Sequence, residues 1–350
     1  MSTPPPPRRK VDKQSAEYLL KSGLAGGLAG CAAKTAVGPL DRVKILFQTS
    51  NPTFAKYTGS WSGLPIAIRD IYKEAGVKGL YKGHSATLLR IFPYAGIKFL
   101  AYEQIRAVFI KSQAQETPGR RFVSGSLAGM VSVFFTYPLE VIRVRLAFET
   151  RQVQRSTLAG ICRKIYNERP PPTVHHPANP ISAAATTVVE NVAPRSGLGN
   201  FFRGFTPTLL GMIPYAGASF LVHDSMSDFM RYPALAPYTT LPNTSREETS
   251  ISSHKPAQLR YWAELTSGGF AGFLSQTVSY PLEVIRRRMQ VGGVVGDGHR
   301  LSIPEVTRRI WTERGLRGFF VGLTIGYIKV VPMAAVSFYI YERGKFYLGI

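Results

Sequence analysis

A proline followed two residues later by an acid and five residues later by a base occurs three times in this 350-residue chain. The copies start at Pro39, Pro138 and Pro281, and we call this sequence the inner motif. A single copy would be an ordinary ion pair between residues i and i+3 on a solvated helix. Three copies are different, because a Gly-xxx-Gly pair begins 13 residues before each proline, at residues 26, 125 and 268. The chain is therefore built from an internal repeat, and a repeat dictates the architecture.

This pattern resembles the signature of the mitochondrial carrier family, which carries Pro-x-acid-x-x-base in each of three repeats. The resemblance implies an all-α membrane protein. It would have six transmembrane helices in three pseudo-threefold-related repeats, each repeat with a short amphipathic helix on the matrix side. Prolines 39 and 138 are 99 residues apart and prolines 138 and 281 are 143 apart, so the second interval carries an insertion. We predict a disordered basic, Pro-rich tail at 1–16 and repeats at 17–112, 118–231 and 258–350. The extra residues form an insertion at about 170–197 and a linker insertion at 232–257.

The bulk composition hides the membrane segments. The mean hydropathy is −0.01 and 18 % of the residues are charged, values typical of a water-soluble protein. Nevertheless, residues 122–139, 205–222 and 265–282 are each free of formal charge over 18 residues, a length that suits a membrane span. Bases interrupt three further segments, at Lys34, at Arg90 and Lys98, and at Lys329. Because a charge at membrane depth is costly, we expect these bases to face the interior of the bundle and to serve function.

Two expectations concern the packing of the odd-numbered spans. Small residues let helix backbones approach in lipid, so we expect the three Gly-xxx-Gly pairs to lie at helix contacts. Proline removes a backbone donor and clashes with the preceding turn, so we expect a kink at each inner-motif proline.

The resemblance also assigns roles to the inner motif. In the family the acid of one repeat pairs with the base of a neighbour, which closes a ring at the matrix end, and a glutamine nine residues after the proline braces the ring. The second repeat has Ala147 at that position. The implied matrix gate comprises Asp41, Lys44, Gln48, Glu140, Arg143, Glu283, Arg286 and Gln290.

A second family motif, aromatic-acid-x-x-base, lies on the even-numbered spans, and we call it the outer motif. The second repeat departs from it, because His223 replaces the aromatic residue and Ser227 replaces the base. The cytoplasmic ring that this motif closes in the family can therefore form at most two of three salt bridges. The implied cytoplasmic gate comprises Tyr102, Glu103, Arg106, Asp224, Tyr341, Glu342 and Lys345.

The resemblance further implies a lipid partner. Family members hold cardiolipin phosphates at helix N-termini near the glycines of the short matrix segments. Free backbone donors and the helix dipole favour an anion there. The corresponding residues here are Gly83, Gly204 and Gly322. The net charge of +22 also favours anionic lipid and an anionic solute. A nucleic-acid partner is not indicated, because the bases are spread over the repeats and form no basic stripe or RNA-binding signature.

The family's substrate contact points lie on the even-numbered spans, 13 and 12 residues before the acid of the outer motif. A Gly followed by an aliphatic residue on the fourth span is the family's mark of adenine-nucleotide-type substrates, and Gly211 and Met212 fit it. Cations at the midplane would bind phosphates, arginine bidentately and lysine as a point charge. The implied substrate site comprises Lys34, Arg90, Lys98, Gly211, Met212, Lys329 and Val330.

The segments 29–48 and 92–99 resemble the coenzyme A carriers of fungi and animals more than other nucleotide carriers. We therefore predict a multi-pass carrier of the mitochondrial inner membrane for coenzyme A or a related adenine nucleotide, working by alternating access, with both termini on the intermembrane-space side. It is expected to be a monomer and not an enzyme, with no cofactor and no metal site. Two alternatives stay open: another adenine-nucleotide carrier of the ATP-Mg or ADP type, and a proton-leak or structural homologue without a nucleotide substrate.

Overall fold

A computed structural model describes residues 16–60, 62–110, 117–150, 157–168, 197–241, 258–292, 294 and 301–349. The N-terminal tail, most of the insertion at about 170–197 and most of the linker insertion lie outside these residues. The described chain is helical, with a single isolated β-bridge between Thr240 and Leu259. Its α-helices are α1 Ala16–Ala36, α2 Gly38–Gln48, α3 Gly63–Leu80, α4 His84–Phe109, α5 Pro118–Phe148, α6 Leu158–Asn167, α7 Phe205–Met230, α8 Ala236–Thr239, α9 Tyr261–Val291, α10 Ile303–Arg314, α11 Leu323–Ile328 and α12 Val330–Leu348.

The chain divides into two compact units. In the first unit, which holds α1 to α6 and the C-terminal residues from Thr324, the main packing pairs are α4 with α5 and α1 with α12. In the second unit, α7 packs along α9, and α10 folds back on the end of α9. The core of the second unit consists of Tyr280, Val284, Ile285, Val306, Ile310 and Phe319.

A stripe of small residues, spaced four apart, is the buried face of each long odd-numbered span. The stripes occupy the positions 14, 10 and 6 residues before the inner-motif proline. All nine side chains are 3 % exposed or less: Ala25, Ala29, Ala33, Ser124, Ala128, Ser132, Ser267, Ala271 and Ser275. The hydroxyls of Ser132, Ser267 and Ser275 donate to the carbonyl four residues earlier, whereas the buried Ser124 hydroxyl makes no hydrogen bond within the described residues.

The expectation that the Gly-xxx-Gly pairs lie at these contacts is wrong for four of the six glycines. A Cβ added at Gly26, Gly125, Gly268 or Gly272 would meet no atom within 4 Å. These four glycines follow the buried stripe by one residue, so they lie beside the contact face. Of the other two, Gly30 is near Ile91, since an added Cβ would be 3.8 Å from its Cγ2, and Gly129 is buried. The close approach in α1 is at Gly27 instead, where an added Cβ would be 2.4 Å from Cε1 of Phe92.

The proline positions behave differently in the three repeats. Val37 separates α1 from α2, so the helix is interrupted just before Pro39, although Asp41 N still donates to Val37 O at 2.9 Å. Pro138 and Pro281 lie inside the continuous helices α5 and α9. An interruption of the helix is thus found in the first repeat, and the kinks at Pro138 and Pro281 stay predictions.

Within the described residues, three helical stretches are long and apolar enough to cross a membrane by length and composition: 119–148, 197–230 and 303–348. They contain two of the uncharged segments expected from the sequence, whereas 265–282, in α9, does not qualify. That segment has no charge but is rich in Ser, Thr, Gln and Gly, so it is uncharged without being strongly apolar. Large apolar side chains such as Ile213, Leu221 and Val331 are more than 70 % exposed, an arrangement that suits a surface covered by lipid.

Candidate functional site

The Asp41 carboxylate is the centre of a charged cluster in the first unit. Its Oδ1 accepts from Lys329 Nζ at 2.8 Å and its Oδ2 accepts from Arg143 Nη2 at 2.9 Å. Asp41 is 8 % exposed. The three residues come from α2, α5 and the turn between α11 and α12, so one acid joins three elements that are far apart in the sequence. The acid of the first repeat and the base of the second are thus paired.

A second pair in this unit joins Arg90 on α4 to Glu140 on α5, which is 2 % exposed. The Arg90 guanidinium also lies 5.5 Å from the centre of the Tyr94 ring, a cation–π contact. Lys34 Nζ donates to Met333 Sδ at 3.5 Å, and a thioether is a weak acceptor. Two of the predicted substrate cations, Arg90 and Lys329, are therefore bound to acids of the inner motif, whereas Lys34 has no carboxylate partner in the described part of the chain.

The other predicted substrate and matrix-gate residues of the first unit differ in their exposure. Lys98 is exposed on α4, and Val330 is the first residue of α12 and is also exposed. Lys44 and Gln48 are both buried on α2, in keeping with a position close to the acids of the inner motif. Ala147 has no side chain to brace a ring, but its carbonyl accepts from Arg42 Nε at 3.3 Å.

Gly211 and Met212 lie on α7 in the second unit, and a Cβ added at Gly211 would be 3.5 Å from the Leu282 Cβ. That is ordinary contact, so the position has room for a methyl group but not for a long side chain on that face. Gln290, buried on α9, accepts from Arg287 Nη1 at 3.0 Å. Glu283 and Arg286 are the remaining inner-motif charges of this unit, and both lie partly exposed on α9.

The outer-motif residues differ between repeats. In the third repeat Lys345 Nζ bonds Glu342 Oε1 at 2.8 Å and lies 5.0 Å from the centre of the Tyr341 ring, so acid, base and aromatic residue of one motif contact one another. In the first repeat Glu103 is exposed, and Tyr102 and Arg106 are partly exposed. In the second repeat, Asp224 lies 3.8 Å from the His223 ring.

The three predicted lipid-site glycines share one backbone conformation. Gly83, Gly204 and Gly322 have φ of 86°, 77° and 83°, in the left-handed region that favours glycine, and each directly precedes a helix, α4, α7 or α11. Gly83 also packs against α5, because an added Cβ would be 2.8 Å from the Arg143 carbonyl oxygen. Next to it, burial lowers the pKa of the Lys82 ammonium, and the nearby Glu149 carboxylate acts in the opposite direction.

A buried arginine–glutamate network in the second repeat was not predicted. Glu168 accepts from Arg145 at 2.7 and 3.1 Å and pairs with Arg203 at 3.1 Å. The Asn200 amide donates to the carbonyls of Ile165 and Glu168 at 2.9 and 3.0 Å, which ties the two ends of the insertion together. The third repeat has an equivalent pair, Arg288 with Glu313 at 2.7 Å. A base seven residues after the proline in both repeats was the available signal in the sequence.

Donors from the first repeat cap the C-terminal end of α5. Arg42 donates to the carbonyls of Ala147 and Glu149, Asn51 donates to Phe148 O at 3.0 Å, and Lys82 donates to Glu149 O at 3.0 Å. The last carbonyls of a helix have no partner within the helix. Supplying donors to them from another repeat fastens the first and second repeats together at this end.

Comparison with known proteins gives consistent matches over the whole chain. All three repeats match the family described as Mitochondrial carrier protein, over residues 15–113, 114–233 and 257–349. A mitochondrial carrier protein of Saccharomyces cerevisiae is 51 % identical over 98 % of this chain and 94 % of its own length. Solute carrier family 25 member 16 of Homo sapiens is 36 % identical over 94 % and 88 %. Mitochondrial carrier protein CoAc2 of Zea mays is 35 % identical over 93 % and 86 %.

Proposed function

Since the chain belongs to the mitochondrial carrier family, whose members are transporters, we propose that it moves coenzyme A, or a closely related adenine nucleotide such as adenosine 3′,5′-diphosphate, across the mitochondrial inner membrane by alternating access. The relatives are consistent with a coenzyme A-like subgroup. On this proposal the protein is a multi-pass monomer with both termini on the intermembrane-space side, and it has no enzymatic role.

The charged cluster of the first unit carries the proposal. Four cations, Lys34, Arg90, Arg143 and Lys329, accompany two acids, Asp41 and Glu140. The excess of two positive charges suits a solute with several phosphates. Coenzyme A carries a ribose 3′-phosphate and a diphosphate besides its adenine, so it needs several cations together with a flat slot. The resemblance assigns that slot to Gly211 and Met212 of the second unit.

The same cluster suggests how the solute would act on the gate. Arg90 and Lys329 hold the acids of the inner motif, and a phosphate is a stronger competitor for such a cation than water. A bound polyanion would draw these cations away from Glu140 and Asp41. It would thereby weaken the ring and favour opening on that side, because a ligand shifts an equilibrium by its differential affinity for the two states.

The lipid proposal is separate from the solute. Cardiolipin or another anionic lipid would bind its phosphates at the backbone donors that follow Gly83, Gly204 and Gly322. The support is the shared left-handed conformation directly before a helix, because the first N–H groups of a helix have no partner within it and favour an anion.

The alternatives remain distinct in their chemistry. An ATP-Mg or ADP carrier would use the same cations but needs no site for a ribose 3′-phosphate. A proton-leak or structural homologue has no use for a cation such as Lys34, which makes no salt bridge to a carboxylate within the described residues, beside two acid-bound cations. The cluster therefore favours a nucleotide-type solute over a carrier without one.

The test is uptake of radiolabelled coenzyme A into proteoliposomes by wild type, Lys329→Gln and a control, Lys78→Gln. Lys78 is an exposed lysine of α3 outside the cluster. We expect Lys329→Gln to lower uptake at least about tenfold, since a charge-assisted contact contributes about 1.5–3 kcal/mol. Lys78→Gln should transport like wild type. Equal uptake by all three proteins would remove Lys329 from the substrate site, and absence of coenzyme A uptake by wild type would refute the proposed solute.

A further inference from the structure

His223 lies where the outer motif has its aromatic residue, in the one repeat that also lacks the base of that motif. The missing base would stand at Ser227, four residues later, and residues four apart share one face of a helix. Ser227 is 4 % exposed, so a lysine there would have to bury its charge or displace its neighbours. The position that could hold a base in this motif is thus the one occupied by His223.

The imidazole of His223 lies between two carboxylates. Its Nδ1 is 3.8 Å from Asp224 Oδ1 on α7, and its Nε2 is 3.7 Å from Glu264 Oε1 on α9. In the described part of the chain these are the charged groups in contact with the ring, one from its own helix and one from the helix packed against it. Both distances exceed a hydrogen bond but allow an ion pair.

Protonation changes what this arrangement can do. A neutral imidazole has one N–H donor and leaves one of the two acids facing a lone pair, whereas the imidazolium donates from both nitrogens. Histidine is the side chain that changes charge between pH 5 and 8 without a strong perturbation. In the third repeat a fixed base, Lys345, contacts the motif acid and the motif aromatic ring together. His223 combines a flat ring and a switchable charge in a single residue.

We propose that His223 is the base of the outer motif in the second repeat, and that its protonation strengthens the contact between α7 and α9 and so slows transport as the pH falls. This inference rests on the proposed transport function. His223 is a positioning residue here and does not contact the solute. The transport rate should therefore respond to pH on the face of the membrane where α7 ends and α9 begins.

The experiment measures uptake of the best transported solute into proteoliposomes at external pH 6.0 and 8.0. Variants are His223→Tyr, which restores the motif aromatic without a charge, His223→Arg, which fixes the charge, and a control, Asp228→Asn. Asp228 lies further along α7 and pairs with Arg231. Because exposed ion pairs contribute about 1 kcal/mol at most, we expect wild type to be slower at pH 6.0 by about two- to fivefold. Uptake by His223→Tyr should be fast at both pH values, and uptake by His223→Arg should be slow at both. Asp228→Asn should keep the wild-type ratio of uptake rates between the two pH values.

A wild-type pH ratio that persists in His223→Tyr would overturn the inference. A second measurement keeps it independent of the solute: the unfolding temperature of the detergent-solubilised protein is measured at both pH values for wild type and Glu264→Gln. We expect the wild-type difference between the two pH values to shrink in Glu264→Gln, because one of the two acids beside the ring has been removed. An unchanged difference would contradict the proposed contact even if no transported solute had been found.

Discussion

Replacing Asp41 by Asn tests the charged cluster most severely, because this carboxylate holds two cations at once. At 2.8 and 2.9 Å, each pair contributes about 6 kcal/mol of Coulomb attraction for an effective dielectric constant of about 20, before desolvation is subtracted. Breaking a buried pair by removing one partner costs about 3–5 kcal/mol net. Asp41→Asn leaves Lys329 and Arg143 beside each other without their shared counter-ion, so we expect the upper part of that range.

A cost of about 3–5 kcal/mol corresponds to a shift of more than about a hundredfold in the equilibrium between the closed and open gate. The assay is exchange in proteoliposomes together with a thermal unfolding curve of the purified protein. We expect Asp41→Asn to lose most of its exchange and to unfold at a lower temperature. Exchange and unfolding at wild-type levels would refute the pairing that the structure describes.

The charge-swap version needs a third change. Exchanging Asp41 and Arg143 restores their mutual pair but places the new arginine against Lys329, which still faces position 41. We therefore expect the double swap to recover little exchange. The triple variant, which adds Lys329→Gln, should have an unfolding temperature that approaches that of wild type, as expected for a gate that closes. Full recovery of transport by the double swap alone would show that Lys329 does not bind Asp41.

Three further outcomes are expected. Arg90→Ala should lower uptake by about 10- to 100-fold and Arg90→Lys by less, because lysine keeps the charge but not the bidentate fork; equal losses would argue against a phosphate contact. Gly211→Ala should be tolerated, since its Cβ would be 3.5 Å from the Leu282 Cβ, an ordinary contact. Gly211→Arg should abolish uptake with unchanged membrane insertion, and wild-type uptake by this variant would contradict the proposed slot. Glu168→Gln removes the acid that pairs with two buried arginines, whereas Glu313→Gln removes the acid that pairs with one. Glu168→Gln should therefore lower the unfolding temperature more, and the reverse order would contradict the network.

The sequence predicted the membrane fold and the repeat because both depend on patterns along the chain. Three copies of the inner motif fixed the register of the odd-numbered spans, and the family matches confirm the fold class. Packing was harder to predict. The glycine pairs marked the right helices, but the buried stripe runs one residue earlier, through alanines and serines such as Ala25 and Ser124. Small residues of either type allow close approach, so composition could not decide which phase faces the partner.

Pairing of charges was the other part that the sequence could not give. The sequence identified Arg90 and Lys329 as functional cations, but it did not show that they bind Glu140 and Asp41. Such contacts join residues up to 288 positions apart. The Glu168 network and the caps on α5 were missed for the same reason. The sequence showed that Ser227 stands in place of the base of the outer motif. The position of the His223 imidazole between two acids depends on the packing of α7 against α9, which the sequence does not show.

Competition for uptake tests whether the solute is coenzyme A or a closely related adenine nucleotide. Proteoliposomes containing the purified carrier take up labelled solute in the presence of unlabelled coenzyme A, adenosine 3′,5′-diphosphate, ADP, ATP, an amino acid or a keto acid. We expect coenzyme A and adenosine 3′,5′-diphosphate to inhibit uptake far better than ADP or ATP. Strongest competition by ATP would favour the other adenine-nucleotide carriers. Inhibition by an amino acid or keto acid, with none by any nucleotide, would refute a nucleotide-type solute.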